Sequence, residues 1–324
     1  EKFNELKYAK ILSNKYKTDH HEFIIEPDSI DNLSKIVNMF GEPLADSSII
    51  PTYFLSKYTK EHVTVSLSGD GGDELFAGYS SYNNMQKLNN RPLNFEFFNK
   101  AISKFNSLVP DYIELKKWLY YFSINSNNIG AYLGIFKEYE RCNLYNFKQK
   151  NILNEYISEN DKVKLLSGID ADFISKMQIL DIKTYLVDDI LTKVDIASMS
   201  NSLEVRVPIL DHKLIELALN IPSEMKINNK NQKIIFKDAV KSLLPPQIIS
   251  HKKQGFNMPI SSWFRGSLND YTKDILLSKN AKIYSYLNRN YIKDIIDNHN
   301  LGFRNYSAKI WSLLVLEEWL KENN

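Results

Sequence analysis

The residues best suited to chemistry form one run, Ser68-Gly69-Asp70-Gly71-Gly72-Asp73-Glu74-Leu75-Phe76-Ala77-Gly78-Tyr79. Three glycines within four positions permit close backbone approach and positive φ angles, so N–H groups can face a ligand. Asp70, Asp73 and Glu74 narrow what that ligand can be. Carboxylates beside an anion nest would repel a polyphosphate unless a hard cation such as Mg2+ lies between them. The run therefore points to a nucleotide held together with a metal ion. Acids on a first helical turn also suit the helix dipole, and that structural role would by itself account for Asp73 and Glu74.

Two further groups carry patterned charge. Between Tyr185 and Asp195, Asp188 and Asp195 are seven residues apart and so share a helix face, while Asp189 and Lys193 form an i,i+4 pair. A solvated, salt-bridged face explains most of this pattern. In the stretch Ser202 to Asp211, Leu203, Val205 and Val207 alternate with Glu204 and Arg206, which places both charges on the opposite strand face. They form either a structural pair or a clamp for a charged substrate. A third group, His251-Lys252-Lys253-Gln254-Gly255-Phe256, falls in a loop after Pro245-Pro246. Its lysines are either solvated or supply positive charge to a reacting phosphate. Other chemistries fit poorly: His20-His21-Glu22 lacks zinc spacing, and Ser66 and Ser68 lack a nucleophile elbow.

The elements that must position these groups can be read from periodicity. Val63 to Leu67 is a β-branched, alternating strand, which delivers the glycine run at its carboxyl end, where parallel sheets bind ligands. Helices are expected from Phe3 to Tyr16, from Pro27 to a stop at Gly41, and from Pro51 through Tyr58, with a short extended run at Glu22–Ile25. Strands separated by helix-length segments imply parallel pairing with crossover connections. From Ser80 to about Lys176 the chain is aromatic-rich; Trp118, Tyr120, Tyr121 and Phe122 read as packing, since no basic groove accompanies them. A long helix is expected from Met177 to Met199, followed by an extended stretch to Val207. Asp211 is a good N-cap for a helix ending near Ile221-Pro222. Gln232 to Leu244 and Tyr306 to Lys321 complete the helices.

Composition removes several function classes. The 324 residues are 43% hydrophobic and 25% charged, which is ordinary globular usage. A net charge of +2 with mixed signs argues against a dedicated nucleic-acid binder. No run approaches the roughly 18 apolar residues of a membrane span. The single cysteine, Cys142, can form neither an intrachain disulfide nor a cysteine-based zinc site, so a reducing, cytoplasmic location is expected. The chain begins at Glu1 and reads as cut from something longer.

Six ordered segments together resemble the synthetase domain of the glutamine-hydrolysing asparagine synthase family. They are Gly41-Glu42-Pro43-Leu44-Ala45-Asp46, the Ser68–Tyr79 run, Asp189 to Asp195, Leu203 to Asp211, Lys252 to Phe256, and Trp311 to Trp319. The resemblance implies an α/β fold with a Rossmann-like parallel sheet of the adenine nucleotide α-hydrolase / ATP pyrophosphatase type and a large helical C-terminal portion. Residues 1–80 would be its nucleotide-binding part and 81–324 the mainly helical part completing the active site. It also implies a reaction in which ATP and aspartate give β-aspartyl-AMP and pyrophosphate, and ammonia then displaces AMP. By that similarity Ser68 and Gly69, with Gly71 beside them, line the nucleotide pocket. Asp70 takes the acidic position needed for intermediate formation and ammonia attack, Asp73 binds Mg2+, and Lys253 stabilises charge on the α-phosphate. Asp188, Asp195, Glu204 and Arg206 shape or grip the substrate. The implied cofactors are ATP and Mg2+. The implied partners are aspartate or a similar carboxylate, ammonia, a glutaminase domain and, as one option, a second copy in a homodimer, with neither nucleic acid nor membrane.

Two departures qualify the match. The family often has Glu where this chain has Asp70, a reach shorter by about 1.5 Å, one carbon–carbon bond. The family's Ser-Gly-Gly-x-Asp-Ser pyrophosphate loop and its cysteine-led glutaminase do not occur in residues 1–324. The stretch is therefore expected to lack its first strand and that loop, and to be inactive alone in making asparagine from glutamine. An amidotransferase of the same family acting on a sugar acid or a β-lactam-type precursor, or a non-catalytic nucleotide-binding module, are the alternatives.

Overall fold

Strand β1 (Val65–Leu67) pairs in parallel with strand β2 (Glu204–Arg206), Val65 lying opposite Glu204, Ser66 opposite Val205 and Leu67 opposite Arg206. The pairing runs on at both ends, because Glu204 N–H donates to the Thr64 carbonyl at 3.0 Å and Ser68 N–H donates to the Arg206 carbonyl at 2.9 Å. Parallel strands need a crossover connection, and helices are the elements found between them among the described residues. The computed structural model describes residues 5–25, 27–90, 109–110, 113–123, 134–146, 161–162, 164–251, 255–256 and 258–323. Over those residues the chain is a mostly helical α/β protein with this small parallel sheet. The first strand begins at Val65 rather than Val63, and the short run expected to be extended at Glu22–Ile25 pairs with no strand.

The chain divides into two compact units, each assembled from separated stretches. One comprises Glu1–Asp31, Ser48–Asn83 and Asp181–Pro259; the other comprises Asn32–Ser47, Asn84–Leu180 and Ile260–Asn324.

The first unit holds the sheet. Helix Ile49–Lys60 packs on helix Thr192–Met199, and the buried Lys193 ammonium donates to Ser48 Oγ at 2.8 Å. After β1 the chain turns into the short helix Gly72–Leu75, whose Leu75 and the following Phe76 are buried with Ala218. Ile209, Leu210, Leu214 and Phe236 close over them, and the Phe76 and Phe236 rings stack at 4.7 Å. Asp211 caps helix His212–Asn220 by accepting from Lys213 N–H at 2.9 Å, as its position predicts. The expected long helix from Met177 is interrupted. Helix Phe173–Lys183 gives way at Thr184 to a π-helix, Tyr185–Leu191, before α-helix resumes at Thr192. The expected helix from Gln232 to Leu244 is shorter, Ile234–Val240.

The second unit is built around helix Ser307–Asn323, in which Ile310, Trp311, Leu313, Leu314 and Val315 are all buried. A helix apolar on so many sides belongs in an interior. Helix Leu33–Phe40 lays Leu33, Ile36, Val37 and Phe40 along it, each side chain contributing about 1.5–3 kcal/mol of burial. It stops at Gly41, whose φ of 68° ends the helix in a left-handed cap. Glu317 is buried and turns its carboxylate to the backbone of Lys282 and Ile283, accepting at 3.1 and 2.8 Å. Buried Glu140 likewise meets the ammonium of Lys309. Tyr120 is buried and sits 5.0 Å from the Tyr139 ring, in keeping with a packing role. Among the described residues no helix is long and apolar enough to cross a membrane.

Candidate active site

The glycine run leaves the carboxyl end of β1, as its sequence position predicts. Its first bond is local: Ser68 Oγ donates to Asp70 Oδ2 at 2.7 Å, which fixes the carboxylate against its own loop. Gly71 then adopts φ +86°, and its missing side chain is required twice over. A Cβ there would fall 2.2 Å from Leu210 Cδ2, and L-residues rarely adopt that φ. Ile209 also approaches the next residue, though less closely, its Cδ1 being 3.3 Å from the Cβ position of Gly72. So Pro208-Ile209-Leu210 seats itself against the glycines of the loop, which is why two segments remote in sequence meet here.

The three acids of the run separate into different roles. Asp70 faces Ser68. Asp73 Oδ1 lies 3.0 Å from Lys233 Nζ. Glu74 is buried and accepts a hydrogen bond from the Tyr79 hydroxyl. Burial, followed by the charge of Glu74, pushes the Tyr79 phenol far above its ordinary range, so it stays a proton donor to that carboxylate. Tyr82 repeats the arrangement, donating to Asp181 Oδ2 at 2.5 Å, and burial followed by the Asp181 charge raises its phenol as well. The two rings meet edge to face at 5.7 Å. Glu74 is thus a structural anchor for the turn, while Asp70 and Asp73 remain the acids suited to chemistry.

Of the remaining sequence-predicted residues, Glu204 and Arg206 form an exposed ion pair at 2.7 Å on the face of the sheet that also carries Val65 and Leu67. Asp188 and Asp195 are both exposed, but the shared helix face argued from their spacing does not survive. The π-helix that contains Asp188 breaks the α-helical register on which that spacing depends. Gly69 is exposed, with nothing within 4 Å of where a Cβ would be. Lys253 lies outside the described residues. A surface hollow lined by Lys60, Glu61, His62, Val63, Thr64 and Val65 sits at the opposite, amino end of β1.

Lys233 is the site residue that sequence reasoning misses. It follows the polar turn Asn228-Asn229-Lys230-Asn231-Gln232, and nothing in that spacing marks it out from its charged neighbours. Only the tertiary fold brings it to Asp73.

A family model described as asparagine synthase matches residues 1–321. The asparagine synthetase (glutamine-hydrolyzing) 1 of Bacillus subtilis is 32% identical over 98% of this chain and 50% of its own length. The asparagine synthetase (glutamine-hydrolyzing) 3 of the same organism is 26% identical over 90% of this chain and 42% of its own. The asparagine synthetase (glutamine-hydrolyzing) of Gallus gallus is 29% identical over 39% of this chain. The chain spans about half the length of the first of these relatives.

Proposed function

Since this chain belongs to the asparagine synthase family, we propose that it carries the ATP-dependent, amide-forming chemistry of a ligase that makes asparagine from aspartate. The aspartate side-chain carboxylate displaces pyrophosphate from ATP to give β-aspartyl-AMP. Ammonia then forms the new C–N bond, and AMP departs with the electrons of the broken C–O bond. The observation that carries this reading is the glycine turn at the carboxyl end of β1, seated on Ile209 and Leu210 and flanked by Asp70 and Asp73. In it Ser68, Gly69 and Gly71 face the nucleotide. Asp70, oriented by Ser68, serves intermediate formation and accepts the proton that the attacking ammonia gives up. Lys253 offsets charge on the α-phosphate. Asp188, Asp195, Glu204 and Arg206 shape the substrate side.

Mg2+ suits the donor set. Among the described residues no group of three or more His, Cys, Asp or Glu side chains forms a closed metal cage. Mg2+ commonly takes one or two protein carboxylates and completes its shell with phosphate oxygens and water, so Asp73 is a sufficient protein ligand. Bound there it would neutralise phosphate charge. The wider frame we propose is a Rossmann-like sheet of the ATP pyrophosphatase type. Residues 1–80 form its nucleotide-binding part, and 81–324 the mainly helical part that completes the active site. Ammonia comes from a glutaminase domain, in keeping with the relatives' names, and the protein works in the cytoplasm, where it can form a homodimer.

The test is pyrophosphate release by the full-length protein that carries this chain, supplied with ATP, Mg2+ and glutamine. Release should depend on aspartate, match asparagine formed, and fall by roughly a hundredfold or more in Asp70→Ala. Release driven by a sugar acid or a β-lactam-type precursor instead would move the substrate within the family, an outcome to which the shorter Asp70 lends weight. No release with any carboxylate would leave a non-catalytic nucleotide-binding module.

A further inference from the structure

Asp73 already has a cation beside it. The Lys233 and Asp73 side chains are 23% and 22% exposed, with 3.0 Å between Nζ and Oδ1. Two features build this contact. The Lys233 backbone is held at φ +54°, a left-handed conformation that is unfavourable for a residue with a Cβ. Such strain persists only where the surroundings impose it, and it gathers at functional sites. Gly78 is empty where a Cβ would fall 1.9 Å from Asp73 Oδ1 and 2.4 Å from Lys233 Cε. A lysine meeting an aspartate by chance at a surface would need neither.

We infer that Lys233 is the resident counter-cation of Asp73: its ammonium holds the carboxylate while no divalent cation is bound, and withdraws when one arrives. This role rests on the proposed part of Asp73 in metal binding and deepens it. Two cations at contact distance from one partly buried carboxylate repel each other, so each weakens the other's hold. That antagonism is reciprocal. Lysine suits it because a compact charge on a flexible four-carbon stem can swing aside while its backbone stays in place. A bare cation therefore meets a carboxylate already neutralised, whereas one arriving with a polyphosphate brings negative charge that offsets the lysine. Lys233 is a positioning residue: it keeps Asp73 in place and biases the site toward metal that comes with nucleotide.

The test is Mn2+ binding, used as a probe for Mg2+ and followed by the electron paramagnetic resonance of the free ion, on the nucleotide-free full-length protein. Lys233→Met should bind Mn2+ about three- to tenfold more tightly than wild type, as loss of one nearby charge in a partly screened site requires. Lys233→Arg, which keeps the charge, should stay within about twofold of wild type. The gain should vanish in the Asp73→Asn, Lys233→Met double variant. Lys233→Gln, which also removes the charge and leaves Asp73 untouched, supplies a second route to the same loss should Lys233→Met fail to fold. Unchanged, weaker or undetectable Mn2+ binding in the variant that folds, or a gain that survives Asp73→Asn, overturns the role of Lys233. Loss of asparagine formation with the Mn2+ pattern intact would overturn only the proposed reaction.

Discussion

At Gly71 two demands fall on one position: a φ of +86° and a Leu210 methyl 2.2 Å from where a Cβ would be. Alanine there meets both the left-handed backbone penalty and an overpacked contact, so Gly71→Ala should cost about 2–4 kcal/mol of unfolding free energy. Truncating Leu210 as well relieves only the contact. Chemical denaturation of Gly71→Ala, Leu210→Ala and the double variant separates the two causes: the double variant should lose less than the sum of the singles. Strict additivity would show that Leu210 does not press on the glycine. The neighbouring acids show why residue type alone could not assign roles. Asp70, Asp73 and Glu74 are near neighbours of similar chemistry. Yet one takes a serine hydroxyl, one faces a lysine and one anchors a half-buried tyrosine.

Among the elements, those that carry local instructions match their sequence expectations. Gly41 ends helix Leu33–Phe40 in a left-handed cap, Asp211 starts helix His212–Asn220, and the C-terminal helix runs close to its expected bounds. The strand after Lys60 and its parallel partner were legible from alternation, and so was the glycine turn at the strand's carboxyl end. The π-helix at Tyr185–Leu191 was not, because a residue pattern with α-helical period looks the same whether or not one turn widens. Lys233 was not legible either, since what singles it out is a backbone angle and a long-range contact. His299 joins three elements of the second unit. Its Nε2 lies 3.2 Å from the Ser261 carbonyl, its Nδ1 accepts from Tyr306 N–H at 3.1 Å, and its own carbonyl accepts from Arg265 Nε at 2.8 Å. Burial, followed by the Arg265 charge, holds its imidazole below the ordinary value near 6.5. The unfolded chain therefore takes up a proton that the folded chain refuses, so this contribution is present above pH 6.5 and lost as pH falls below it. Unfolding free energies measured downward from pH 7 should decline with a slope of at most about 1.4 kcal/mol per pH unit from this group. His299→Gln should flatten that part of the profile; an unchanged profile would locate the acid sensitivity elsewhere.

For the molecule as a whole, the bulk numbers, a net charge of +2 and ordinary composition, excluded classes without naming a reaction. The ordered motifs named the family, and the fold then explained why they occur together: the glycine run and the Leu203–Asp211 segment are neighbouring strands and their exits. Because residues 1–324 contain no Ser-Gly-Gly-x-Asp-Ser loop, they should give no aspartate-dependent ATP–pyrophosphate exchange by themselves, whereas the full-length protein should. Robust exchange by the 324 residues would show that the described loop is sufficient. Leu67 is 71% exposed and Val65 40%, on a three-residue strand in a sheet that has two strands among the described residues. Apolar side chains beside unpaired backbone groups invite strand-to-strand stacking between molecules. Expressed alone, these residues face a colloidal problem as well as a catalytic one, so loss of exchange counts against the loop only in a preparation shown to be monodisperse.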